Sequence, residues 1–149
     1  MFYVLMVSHG EFAPGLHTAV KMIAGDRDTV LSTSLKDGMG ADEYAANVEK
    51  LVANITPEDK LVVLADIMGG SPLTTAMNVL AEKGLLANTK AFTGMNLPMA
   101  LTVILAGFKI KEIIIKQQHN CSATGFWRTN SIKYNFLLIA YEYLYVFKK

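Results

Sequence analysis

Arginine is almost missing from this chain: only Arg27 and Arg128 occur in 149 residues. The lysines are scattered and the net charge is +1, so no basic stripe exists to follow a phosphate backbone, which excludes a nucleic-acid binder. A single cysteine, Cys121, excludes an intramolecular disulfide framework and leaves no thiolate metal cluster. Long apolar runs are lacking as well. A membrane helix needs roughly 20 apolar residues; LPMALTVILAGF and FLLIAYEYLYVF are shorter, and Glu142 interrupts the second. No basic-then-apolar leader with a small-residue cleavage site opens the chain, so the expectation is a cytoplasmic protein. There is no internal repeat and no low-complexity segment.

What is present is an alternation. The chain is 52% hydrophobic and long enough for one domain with a full core. Phe2–Val7 is a short apolar run ending at His9-Gly10, and reads as a buried strand. Pro14 opens a helical pattern carried by Leu16, Ala19, Val20 and Ile23, which Gly25 stops. Thr29–Leu35 is a second strand, KDGMG a loop, and Asp42 the expected cap of a helix bearing Tyr44, Ala45, Val48, Leu51 and Val52. Leu61–Asp66 is apolar on both faces, as a central parallel strand requires. A helix follows, with Pro72 at its first position and Gly84 at its stop; then come the strand TKAFTG, the turn GMNLP and the helix MALTVILAG. KIKEIIIKQQH fits helix and strand equally.

Strand and helix repeated four times predict an α/β fold: a doubly wound, four-stranded parallel sheet with helices on both faces. From His119 onward the character changes. Residues 1–118 carry 10 basic and 12 acidic side chains, the remainder 4 and 1, together with four of the six tyrosines. We therefore divide the chain into a domain at 1–118 and an atypical tail at 119–149, an extra C-terminal element expected to pack at a dimer interface.

Ligands of open parallel sheets sit beyond the carboxyl ends of the strands, where strand order reverses. His9, Asp66 and Gly94-Met95-Asn96 fall at such ends. With strand order 2-1-3-4, the first and third strands are neighbours and His9 lies beside Asp66. A carboxylate that accepts from one imidazole nitrogen fixes the tautomer and leaves the other lone pair free to attack phosphorus or carbon. After Asp66 come Ile67-Met68-Gly69-Gly70-Ser71-Pro72. The glycines admit close approach, Ser71 is placed as an N-cap, and a helix N-terminus favours an anion. Gly10, Gly69, Gly70 and Ser71 are thus the expected phosphate-binding residues, and Phe12, Met68, Met95 and Asn96 the expected partner-binding rim. Each feature alone has a bland explanation as a loop histidine, a turn or a cap; their convergence points to phosphoryl transfer to and from His9. His17 reads as a helix-face residue and His119 as part of a loop.

VLMVSHGEFAPGL, VVLADIMGGSPLTTA and FTGMNLPMAL resemble three signature segments of the mannose-family enzyme IIA of the bacterial sugar phosphotransferase system. The resemblance runs in order from Val4 to Leu101 and fades after about Gly107. It implies a doubly wound fold and a homodimer that exchanges a C-terminal strand. It further implies a histidine, here His9, that accepts a phosphoryl group from the phosphocarrier HPr and gives it to a histidine of enzyme IIB, serving the membrane IIC and IID components indirectly. Asp66 matches the supporting aspartate and Ser71 the motif serine. Neither cofactor nor metal is implied. The sugar stays open, since the family serves mannose, fructose, sorbose, gluconate and amino sugars.

Two other classes compete. Histidine phosphatases carry Arg-His-Gly-Glu at the end of their first strand and clamp phosphate with guanidinium groups. Here Ser8 takes the arginine position and neither arginine lies near the motif, so that pocket cannot be built. A non-catalytic flavodoxin-like module that binds an anion or a partner is the remaining alternative, and reactivity of His9 separates it from a carrier.

Overall fold

Alternating apolar residues in two strands build two separate cores. The computed structural model describes residues 1–107 and, beyond them, the backbone of Ile113–Ile115 and Leu144–Val146. In chain order the elements are β1 (Phe2–His9), α1 (Phe12–Ala24), β2 (Val30–Leu35), α2 (Ala41–Leu51), β3 (Lys60–Ala65), α3 (Ser71–Glu82), β4 (Thr89–Thr93) and α4 (Leu97–Ala106). The four strands form one parallel sheet in the order β2-β1-β3-β4. Val4 and Met6 of β1, with Val62 and Leu64 of β3, face one side and pack with Ala13, Val20, Met99 and Val103 of α1 and α4. Leu5 and Val7, with Leu61, Val63 and Ala65, face the other and pack with Tyr44, Val48, Ala76 and Leu80 of α2 and α3. Burying each Val or Leu is worth about 1.5–3 kcal/mol, so a strand covered on both faces holds its register firmly.

The doubly wound α/β fold and the strand order are as the sequence predicts. Several helix starts are not. α1 begins at Phe12, two residues ahead of Pro14, because the buried Ser8 hydroxyl accepts from the Ala13 backbone N–H at 2.7 Å and caps the first turn from outside it. The N-cap of α2 is Gly40, which leaves Asp42 in the first turn, where its charge complements the helix dipole. The N-cap of α3 is Gly70, with Ser71 and Pro72 already helical. β1 continues to His9, whose register partner is Leu35.

A second sheet pairs β5 (Ile113–Ile115) with β6 (Leu144–Val146) antiparallel. This places strand within KIKEIIIKQQH. The expected packing of 119–149 at a dimer interface, and His119 itself, otherwise lie outside the described residues.

Candidate active site

The order β2-β1-β3-β4 reverses between β1 and β3, and the first residues at their carboxyl ends are His9 and Asp66. The two are joined twice. His9 Nδ1 lies 2.8 Å from Asp66 Oδ2, and the His9 backbone N–H donates to the same oxygen at 2.9 Å. Asp66 Oδ1 accepts from the Ile67 backbone N–H at 2.8 Å. Burial by itself would raise the Asp66 carboxyl; the hydrogen bonds from His9 and Ile67 outweigh it and hold the group below its ordinary value. An ionised Asp66 accepts only, so Nδ1 supplies the proton of this hydrogen bond and, in the neutral ring, the lone pair lies on Nε2. The His9 side chain is 45% exposed, which leaves the ring open to a reactant.

The glycines divide the work around this pair. Gly10 has φ +57°, a conformation that admits glycine readily, and a Cβ there would meet only open space. Gly70 sits beneath the imidazole, where a Cβ would come within 2.8 Å of His9 Cε1. Gly69 turns the chain at φ +72°. α3 starts directly after its N-cap Gly70, which lies beside the ring, and no side chain among the described residues caps its N-terminus. The Ser71 hydroxyl is therefore not spent on capping, contrary to the expected N-cap role, and is exposed at the first helical position.

The rim differs in part from expectation. Phe12 and Met68 are 48% and 51% exposed, as a docking surface requires. Met95 is not: it is 4% exposed and packed in the α1/α4 core, because the loop after β4 folds inward. That loop reaches the site through backbone, with Gly94 N–H donating to the Asp66 carbonyl and Met95 N–H to the Ala65 carbonyl, both at 3.0 Å. Asn96 caps α4, its side-chain oxygen accepting from Met99 N–H at 2.9 Å, so that oxygen is committed to the helix.

Ile67 escaped sequence reasoning. It is 55% exposed between Asp66 and Met68, while its apolar character reads as core. Also unanticipated is the ion pair of Lys36 with Glu11, at 2.7 Å, just past the end of β1. His17 stays apart: Nδ1 lies 2.8 Å from Ser32 Oγ, and the buried Nε2 has no partner among the described residues. No group of three or more His, Cys, Asp or Glu among the described residues is placed to hold a metal.

Fold and site together define a doubly wound α/β protein with an aspartate-clamped imidazole at the switch point of its sheet. A family model described as EIIA-man, PTS system fructose IIA component, matches residues 3–113, and the chain belongs to that family. It is similar to the PTS system fructose-specific EIIA component of Bacillus subtilis (strain 168), at 27% identity over 104 residues covering 70% of this chain and 69% of the relative. Two solved structures share the fold. One is the PTS IIA protein associated with the fucose utilization operon of Streptococcus pneumoniae, with TM-score 0.61, 24% identity and coverage of 89% of this chain and 94% of that one. The other is the mannose/sorbose specific IIA subunit of Enterococcus faecalis, with TM-score 0.59, 20% identity and coverage of 96% and 98%.

Proposed function

We propose that this protein is a cytoplasmic phosphocarrier of a sugar phosphotransferase system that works as a homodimer. His9 accepts a phosphoryl group from HPr and passes it to enzyme IIB, which serves the membrane IIC and IID components. The observation that carries this reading is the pair of hydrogen bonds between His9 and Asp66, which commits Nδ1 and leaves Nε2 as the free nucleophile. The Nε2 lone pair attacks phosphorus as the donor nitrogen–phosphorus bond breaks, and the donor imidazole keeps that electron pair. Positive charge then develops on the His9 ring, where the Asp66 carboxylate balances it. Transfer to enzyme IIB is the same step reversed onto a new nitrogen.

Stabilisation of the phosphoryl oxygens falls to the open N-terminus of α3, with Ser71 and the amides near Gly69 and Gly70. Gly10 leaves the approach to the ring clear, and Phe12, Ile67 and Met68 supply an apolar rim for two successive partners. Ser8 supports a carrier over a phosphatase: it is buried and spent on capping α1, so no phosphate clamp projects from the position before the histidine.

Incubation with phosphoenolpyruvate, enzyme I and HPr tests the reading by intact mass. One acid-labile phosphoryl adduct is expected on the wild type and none on His9→Ala. A folded wild-type protein that takes up no phosphoryl group overturns the carrier and leaves the anion- or partner-binding module.

A further inference from the structure

The Tyr44 side chain is fully buried, and its hydroxyl has no hydrogen-bond partner among the described residues. Phenylalanine would fill the same space without desolvating a polar group, so the hydroxyl calls for an explanation. The topology puts Tyr44 at the edge of the sheet that carries the candidate site. α2 follows β2 and so begins at the carboxyl edge of the parallel sheet, and Tyr44 is its fourth residue. Tyr44 packs in the α2/α3 core with Val7 and Ala65, which are register partners immediately below the ends of β1 and β3. Strand alternation turns His9 toward this same face, along with Leu5 and Val7. Burial first, and then the negative charge of Asp66, push the Tyr44 phenol well above its ordinary value, so it remains a donor.

Asp66 has one acceptor position to spare. Among the described residues, Oδ2 accepts from the His9 backbone N–H and from the His9 ring, while Oδ1 accepts only from Ile67 N–H. Each carboxylate oxygen offers two lone pairs. A free donor on Tyr44 and a free lone pair on Oδ1 therefore belong to the same corner of the fold, without a direct bond between them.

We propose that Tyr44 is a positioning residue for His9, its hydroxyl donating to a buried water that donates in turn to Asp66 Oδ1. Such a water is held by polar partners on both sides, as buried waters are. It anchors the far oxygen of the carboxylate, so that Oδ2 stays aligned with Nδ1 and the ring keeps one tautomer. The consequence for transfer rests on the phosphocarrier reading; the effect on the ring does not.

Tyr44→Phe removes only the hydroxyl, and the test reads the His9 ring by 15N NMR in the unphosphorylated protein. The expected result is a shift from a single Nδ1–H tautomer toward a mixture, with phosphoryl acceptance from HPr slowed by about three- to tenfold at an unchanged KM. In an Asp66→Asn background, Tyr44→Phe should cause no further change. Wild-type ring signals in a folded Tyr44→Phe protein overturn the proposal, whatever its transfer rate. Altered ring signals in a protein that never accepts a phosphoryl group would retain the positioning role and remove the carrier.

Discussion

Gly70 lies so close under His9 that a single added carbon would reach to 2.8 Å from the imidazole Cε1. The ring cannot simply retreat, because Asp66 holds its Nδ1. Gly70→Ala should therefore displace the ring from Asp66 and slow phosphoryl acceptance, on the order of tenfold for a misplacement of this size. The backbone at Gly70 is ordinary for alanine, with φ −68°, so the fold should survive. Gly69→Ala makes the contrast: φ is +72° and nothing lies within 4 Å, so its cost is backbone strain of about 1–2 kcal/mol. Urea unfolding alongside a single-turnover transfer assay separates the two variants.

Asp66→Asn preserves shape but not charge. The carboxamide no longer balances a positive ring, and it can present an N–H to Nδ1, which favours the wrong tautomer. Phosphoryl acceptance should fall on the order of 100-fold. The same variant alters the acid limb of stability. Asp66 is held below its ordinary 3.8, so its contribution is present above that pH and is lost as pH falls through the lower folded value. Asp66→Asn should flatten this limb when unfolding is followed from pH 5 down to pH 2.

His17 has the opposite kind of site. Burial first, then the Lys21 charge, push it below its ordinary 6.5, with Asp26 opposing weakly. The unfolded chain therefore takes up a proton before the folded one does, and stability declines as pH falls below 6.5. His17→Gln should lose this component: the drop in urea midpoint between pH 7.5 and pH 5.5 should be smaller than in the wild type. An equal drop in both proteins would show that His17 is not its source.

Asn96 has a structural task. Its side chain supplies the first hydrogen bond of α4, and removing such a cap costs about 1 kcal/mol. Asn96→Ala should lower the unfolding free energy by that amount, read as a lower urea midpoint at an unchanged m-value, and Asn96→Asp should restore it.

Most of the sheet was legible because parallel strands covered on both faces must be apolar throughout, and VLMV and LVVLA are. The meeting of His9 with Asp66 was legible for the same reason: polar residues at the exits of such strands have nowhere to go but the carboxyl edge. What the sequence concealed depends on bonds between distant atoms. Ser8 caps α1 across a turn, so no local cap signal marks Phe12 as the start. Gly70 and Gly40 cap with backbone geometry alone, which made the nearby Ser71 and Asp42 look like caps. Met95 is buried and Ile67 exposed because the β4 loop folds inward while the β3 loop turns out, and an apolar residue type does not distinguish the two. Tyr44 reads as an ordinary core aromatic, although its hydroxyl lacks a partner among the described residues.

If His9 carries phosphoryl groups as proposed, its free ring nitrogen, Nε2, holds them. Phosphorylate the 15N-histidine-labelled protein with phosphoenolpyruvate, enzyme I and HPr, and record the ring nitrogen shifts and their coupling to 31P. The prediction is a phosphoryl group on Nε2 of His9, with Nδ1 still protonated toward Asp66. Phosphorylation of Nδ1, or of any residue other than His9, would contradict it.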